Sequence, residues 1–117
     1  MIFLEYPPCS TCKKAKKWLD DNGISYTPRH IKEDNPSFEE LSAWLVQSGL
    51  PVKKFFNTSG LLYKSMNLKE KLPSMNEEEQ LRLLSTDGML VKRPIVVTDD
   101  NRILVGFKEP QWAQTLL

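Results

Sequence analysis

The sequence has few of the residues that build metal centres and covalent frameworks. Its 117 residues include one histidine and two cysteines. A structural zinc site takes four ligands, so a closed zinc site within one chain is not expected. A chain of this length can bury a core without disulfide staples. Long apolar runs are also missing, and nothing approaches the roughly 20 residues of a membrane span. Met1 to Tyr6 has no basic region, and its apolar stretch is too short for a secretory signal. Charge of one sign is not in excess: 16 basic and 15 acidic side chains leave a net charge of +1. That balance provides no global field to recruit nucleic acid or an anionic membrane. There is no phosphate-binding glycine loop, carboxylate dyad, internal repeat or low-complexity segment. What remains is a globular composition, 40% apolar and 26% charged, suited to one domain. A cytoplasmic location is expected. Thiols are kept reduced there, so two neighbouring cysteines point to reactivity rather than to a structural disulfide.

The apolar pattern predicts a short strand over Ile2 to Tyr6, ended by Pro7-Pro8. A helix follows, with Ser10 or Thr11 available as its cap and Cys12, Ala15, Trp18 and Leu19 at helical spacing on one face. Asn22-Gly23 supplies its stop, and Ser25 to Ile31 reads as a second strand. This β-α-β opening implies parallel strands and a right-handed crossover. Ser37 and Glu40 stand in capping-box relation ahead of a helix whose apolar face carries Leu41, Trp44 and Leu45. Gly49 to Leu72 reads as short helical pieces. Asn76 and Glu79 open another helix over Glu77 to Leu84. Pro94 to Thr98 and Arg102 to Phe107 pair as a hairpin about Asp99-Asp100-Asn101, and Glu109 to Leu117 closes the chain as a helix. The order describes an α/β, thioredoxin-like fold (β-α-β … β-β-α, mixed sheet) in a single domain over 1–117, with an inserted helical subdomain at about 36–88.

Cys9 and Cys12 are two residues apart, directly after a strand and at a helix start. The unpaired N–H groups and dipole of a helix N-terminus favour thiolate over thiol, which makes Cys9 the candidate nucleophile. Cys12, one turn on, can close a disulfide with it, and Lys13 adds positive charge. The competing readings are half of a zinc site or two inert core cysteines. In thioredoxin folds a cis-proline before the third strand faces the active cysteine, and Pro94 stands at that place. Arg93 would then project towards Cys9, where its fork could hold an anion. The alternative is a surface arginine beside an ordinary edge proline. His30 reads as a packing or capping residue, and Trp18, Trp44 and Trp112 read as core.

Two segments together, Tyr6-Pro7-Pro8-Cys9-Ser10-Thr11-Cys12-Lys13-Lys14-Ala15 and Lys92-Arg93-Pro94-Ile95-Val96-Val97, resemble the arsenate reductase (ArsC)/Spx family over nearly the whole chain. Asp87-Gly88-Met89-Leu90 extends the likeness. The resemblance implies a thioredoxin fold with a helical insertion, Cys9 as nucleophile, Cys12 as resolving thiol and Arg93 as the anion-facing arginine. Ser10, Thr11, Lys13 and Pro94 would contact substrate. No metal and no bound cofactor is implied, only an external reductant such as glutathione, glutaredoxin or thioredoxin. Glutaredoxin-coupled arsenate reductases carry serine at position 12, arginine at position 13 and three clamp arginines. This chain keeps Arg93 and has Asn57 and Gly106 at the other two places, which predicts weaker oxyanion binding. Lys53, Lys54, Arg102 and Lys108 are possible substitutes, or simply solvated charges. Spx regulators share the Cys-x-x-Cys switch and bind the RNA polymerase α subunit through a glycine-containing segment, which Ser48 to Asn57 matches poorly. A short, glutaredoxin-like ArsC branch, with Phe55-Phe56-Asn57-Thr58-Ser59-Gly60 and Asn67-Leu68-Lys69, is the best match. The expected function is a thiol-disulfide oxidoreductase, and the alternative is a redox-sensing regulator of RNA polymerase. Neither membrane nor direct nucleic-acid contact is expected.

Overall fold

A computed structural model describes residues 1–117. The apolar run Ile2–Glu5 forms β1, which lies inside a four-stranded sheet of order β2-β1-β3-β4. Its neighbours are β2 (Thr27–His30), which runs parallel, and β3 (Ile95–Val97), which runs antiparallel. β4 (Ile103–Val105) completes the antiparallel hairpin on β3. The strands are shorter than their apolar patterns predicted. Tyr6, Ser25, Arg102 and Phe107 lie outside the ladder, where Pro7-Pro8 and the Asp99–Asn101 turn redirect the backbone.

Alternation along β1 assigns its side chains to two layers. Phe3, with Val96 and Leu104, packs on α1 (Ser10–Asp21) and α6 (Glu109–Leu116) through Ala15, Leu19 and Trp112. Leu4, with Ile95, faces the helices that intervene between β2 and β3. Trp112 is fully buried, and its indole N–H donates to the Gly106 carbonyl at 3.0 Å. Trp18 is only half-buried and packs edge-on against Trp112.

The helical segment comprises α2 (Phe38–Ser48), α3 (Leu61–Ser65), α4 (Leu68–Lys71) and α5 (Glu77–Thr86), with 3-10 turns over Val52–Phe55, Leu72–Ser74 and Gly88–Leu90. Both capping boxes form. Ser37 Oγ accepts from the Glu40 N–H while the Glu40 carboxylate accepts from the Ser37 N–H, and Asn76 and Glu79 repeat the exchange. Glu40 also takes a bidentate pair from Arg29 of β2, at 2.7 and 2.8 Å, which ties α2 to the sheet. Where the segment returns towards β3, Gly88 passes so close to β2's exit that a Cβ would lie 1.8 Å from the Ile31 carbonyl oxygen. Only glycine fits there.

The helical segment also builds one wall of the site. Asn57 N–H donates to the Leu90 carbonyl at 2.8 Å and Lys92 N–H to the Phe55 carbonyl at 2.7 Å, so residues 55–57 run beside 90–92 as a two-rung ladder. This tie holds Asn57 next to the segment that carries Arg93.

Candidate active site

Cys9 lies at the junction of sheet and helix. The Pro7-Pro8 turn is closed by the Cys9 N–H on the Tyr6 carbonyl at 2.9 Å. It leaves Cys9 extended, at φ −73° and ψ 126°, as the N-cap of α1. The cap is therefore neither Ser10 nor Thr11, because the chain turns helical one residue earlier than their side chains suggested. At an ordinary N-cap a serine or aspartate oxygen accepts the first free N–H groups. Here the N–H groups of Cys12 and Thr11 are directed at the Cys9 sulfur.

The two thiols have opposite surroundings. Partial burial works against ionisation of Cys9, but it is outweighed by hydrogen bonds from the Cys12 N–H, the Arg93 side chain, the Cys12 thiol and the Thr11 N–H. The Cys9 pKa lies below the ordinary thiol value. Cys12 is fully buried on the inner face of α1, and burial foremost, reinforced by the neighbouring Cys9, pushes its pKa up to about 12. Both are free thiols. A half-buried sulfur shifted towards thiolate thus stands beside a fully buried one held as thiol.

Arg93 comes from the opposite side. The Arg93–Pro94 peptide is cis. The guanidinium lies 4.9 Å from the centre of the Tyr6 ring, a cation–π contact that the sequence did not signal. Its Nε and Nη1 are buried and have no acceptor within the protein. Buried donors without acceptors cost roughly 1–3 kcal/mol each and more when charged, so this guanidinium is built to receive an anion.

Cys9, Thr11 and Arg93 open into a cleft of about 680 Å³, and Asn57 and Gly106 line it with them. Asn57 is nearly buried, and a Cβ on Gly60 would lie 2.7 Å from its amide nitrogen, so Gly60 leaves the room the amide occupies. Lys53, Lys54 and Lys108 line the same cleft, whereas Arg102 lies elsewhere, paired with Asp100 and donating to the Thr115 carbonyl. Ser10 and Lys13 are exposed on α1 outside the cleft lining, and Pro94 is buried beneath it. Lys92 also lines the cleft. Reading it only as part of the Arg-Pro-Ile motif missed this, because nothing local to Lys92 reveals that Gly106 lies across from it. His30 caps a turn, its Nδ1 accepting the N–H groups of Lys32 and Glu33. No cluster of three or more His, Cys, Asp or Glu side chains is placed to hold a metal ion.

Comparison with known proteins matches residues 4–115 to the ArsC family model. The protein YusI of Bacillus subtilis is 54% identical over 114 residues, covering 97% of this chain and 96% of its own. The regulatory protein MgsR of the same organism is 31% identical, covering 92% of this chain and 82% of its own. Among solved structures, an ArsC family related protein from Bacteroides fragilis superimposes with a TM-score of 0.93 at 62% identity, covering 97% and 94% of the two chains. The arsenate reductase from Vibrio cholerae gives a TM-score of 0.80 at 27% identity, covering 100% and 98%. With a cysteine at the start of α1, an arginine before a cis-proline opposite it and this likeness over almost its full length, the chain belongs to the ArsC family.

Proposed function

We propose that the protein is a two-cysteine thiol-disulfide oxidoreductase. The observation that carries this reading is the split of the two thiols, with Cys9 half-buried at the cleft and shifted towards thiolate and Cys12 fully buried and held as thiol. Cys9 thiolate attacks one sulfur of a substrate disulfide. A Cys9–substrate bond forms, the old S–S bond breaks and the leaving half departs as thiolate. Two of the influences that hold Cys12 protonated, its hydrogen bond and its Coulombic contact with Cys9, exist only while Cys9 carries charge. Once Cys9 is bonded they disappear, and Cys12 ionises more readily. It attacks the Cys9 sulfur, expels the second half as thiolate and leaves a Cys9–Cys12 disulfide, its own proton passing to the released thiolate. An external thiol, such as glutathione, glutaredoxin or thioredoxin, returns the pair to dithiol. Arg93 steadies the Cys9 thiolate and any anionic group beside it. Arsenate is the other oxidised substrate the family suggests, but a single clamp arginine with Asn57 and Gly106 at the companion places favours disulfides.

A second reading, a redox-sensing regulator acting on RNA polymerase, is supported by the 31% identity to the regulatory protein MgsR. It uses the same switch without turnover. The test is reduction of a small disulfide by pre-reduced protein with each external thiol in turn, followed by mass spectrometry. Wild type is expected to turn over and to accumulate the Cys9–Cys12 disulfide when reductant is withheld. Cys12→Ser is expected to stop at a mixed disulfide on Cys9, and Cys9→Ser to be inert. Absence of turnover with every reductant, combined with binding to the polymerase α-subunit domain, would replace the enzyme reading with the regulatory one.

A further inference from the structure

The cleft beside Cys9 is charged far out of proportion to the chain. Lys53, Lys54, Lys92, Arg93 and Lys108 all line it, and none of its 19 lining residues is Asp or Glu. None of the five cations takes part in an ion pair; the six pairs in the molecule involve the N-terminus, Lys17, Arg29, Arg82 and Arg102. In a chain of 16 basic and 15 acidic side chains, this is segregation rather than bulk charge. The cations also come from three separate parts of the fold. Lys53 and Lys54 lie on the 3-10 turn after α2, Lys92 and Arg93 on the approach to β3, and Lys108 at the N-cap of α6. Gly106 assists: at φ +74° it has no side chain, and a Cβ there would lie 3.2 Å from Lys92 Cε, so the Lys92 stem runs across the glycine along the cleft wall. Gathering like charges without counter-charges is unfavourable until a polyanion neutralises them.

Charge narrows the ligand. A peptide thiol such as glutathione carries an ammonium as well as carboxylates, and here its ammonium would meet cations and no carboxylate. A phosphorylated thiol carries several anionic groups and needs no acid from the protein. The volume of about 680 Å³ lies well inside the roughly 300–1,000 Å³ range of small-molecule and cofactor sites. Leu50, Ile103, Val105 and Phe107 give the uncharged part of such a molecule an apolar wall.

We propose that the cleft binds the disulfide of a phosphorylated low-molecular-weight thiol, of the coenzyme A type, and presents it to Cys9. The proposal rests on the reading of Cys9 as a nucleophile towards disulfides and specifies its substrate. Arg93, hydrogen-bonded to Cys9, steadies the reacting sulfur, and Lys53, Lys54, Lys92 and Lys108 hold the phosphate groups that the uncharged arm of the ligand sets apart from it. The half-reaction oxidises the Cys9 and Cys12 thiols to a disulfide and reduces one substrate disulfide to two thiols, which balances without another reductant; the external thiol then returns the pair to dithiol.

The test is single-turnover oxidation of the pre-reduced full chain by coenzyme A disulfide, glutathione disulfide and the neutral hydroxyethyl disulfide. Each rate is divided by that of the same disulfide with free dithiothreitol, which removes intrinsic reactivity. Coenzyme A disulfide is expected to exceed the neutral disulfide by about tenfold or more at low salt. That ratio is expected to fall in Lys53→Ala/Lys54→Ala, in Lys108→Ala and with added salt, and to be kept in Lys69→Ala, on α4 away from the cleft. A ratio near one, a ratio indifferent to the cleft lysines, or a preference for glutathione disulfide would overturn the proposal while leaving the oxidoreductase reading in place. Failure of all three disulfides to oxidise Cys9, or equal reaction in Cys9→Ser, would overturn the oxidoreductase reading itself.

Discussion

Pulse alkylation with iodoacetamide at neutral pH should distinguish the two thiols sharply. With a pKa of about 12, roughly one Cys12 in a hundred thousand is ionised at neutral pH. A thiol at the reference value of 9.0 already presents about a thousandfold more thiolate, and Cys9 lies on the more reactive side of that reference. Intrinsic nucleophilicity works the other way. It rises with thiol pKa with a slope of about 0.4–0.5, which gives back more than one of those three decades. The net expectation is selectivity for Cys9 of at least about thirtyfold, before the complete burial of Cys12 is counted. Quantifying both labelled cysteines by mass spectrometry after short pulses measures it, and the same pulse in concentrated guanidinium should abolish the preference. In Cys9→Ser the two influences of Cys9 on Cys12 are gone, so the alkylation profile of Cys12 should move to lower pH while burial still slows it. Equal labelling of both cysteines in the folded protein, or an unmoved Cys12 profile in Cys9→Ser, would refute the assignment of nucleophile and protected resolver.

Two further predictions concern the frame that holds the site. Glu40 is lowered to about 2 from a reference of 4.5, chiefly by the Arg29 guanidinium and further by the Ser37 N–H against the opposing effect of burial. The unfolded chain therefore binds this proton first, so the Glu40 contribution is present above about pH 4.5 and is lost as pH falls towards 2. Urea midpoints over that range should decline in the wild type and decline less steeply in Glu40→Gln; parallel curves would show that the pair contributes nothing to acid stability. Gly88→Ala would drive a methyl group to 1.8 Å from the Ile31 carbonyl oxygen, with backbone on both sides of the contact. A loss of about 3 kcal/mol or more is expected in urea unfolding, and an unchanged midpoint would contradict the packing of that crossing.

Much of the fold could be read locally because its signals are local. Ser37 with Glu40 and Asn76 with Glu79 each carry both halves of a reciprocal bond within one turn, so two helix starts lie where spacing placed them. A short apolar run around Phe3 and Leu4, ended by Pro7-Pro8, marked a strand, but the sequence had no means of saying which layer each residue enters. That depends on β3 lying beside β1. Strand ends ran long for the same reason: apolar character persists past the last ladder bond at Tyr6 and Phe107. Cys9, Cys12 and Arg93 were legible as a motif, since a helix start and a proline are chain-local cues. The lowered Cys9 pKa followed from the helix start, but the raised pKa of Cys12 did not, because it depends on how deeply that sulfur is buried.

By itself, then, the sequence determined the element order, the two capping boxes, the cysteine spacing at a helix N-terminus and the arginine before Pro94. Tertiary structure alone decided the character of the cleft. Lys53, Lys92 and Lys108 are far apart in the chain; singly, Lys53 and Lys108 read as substitutes for the clamp arginines or as solvated charges, and Lys92 as part of the Arg-Pro-Ile motif. Charges act through space, so only the fold, by bringing the 3-10 turn, the approach to β3 and the N-cap of α6 around Cys9, turns a balanced chain into a locally cationic site.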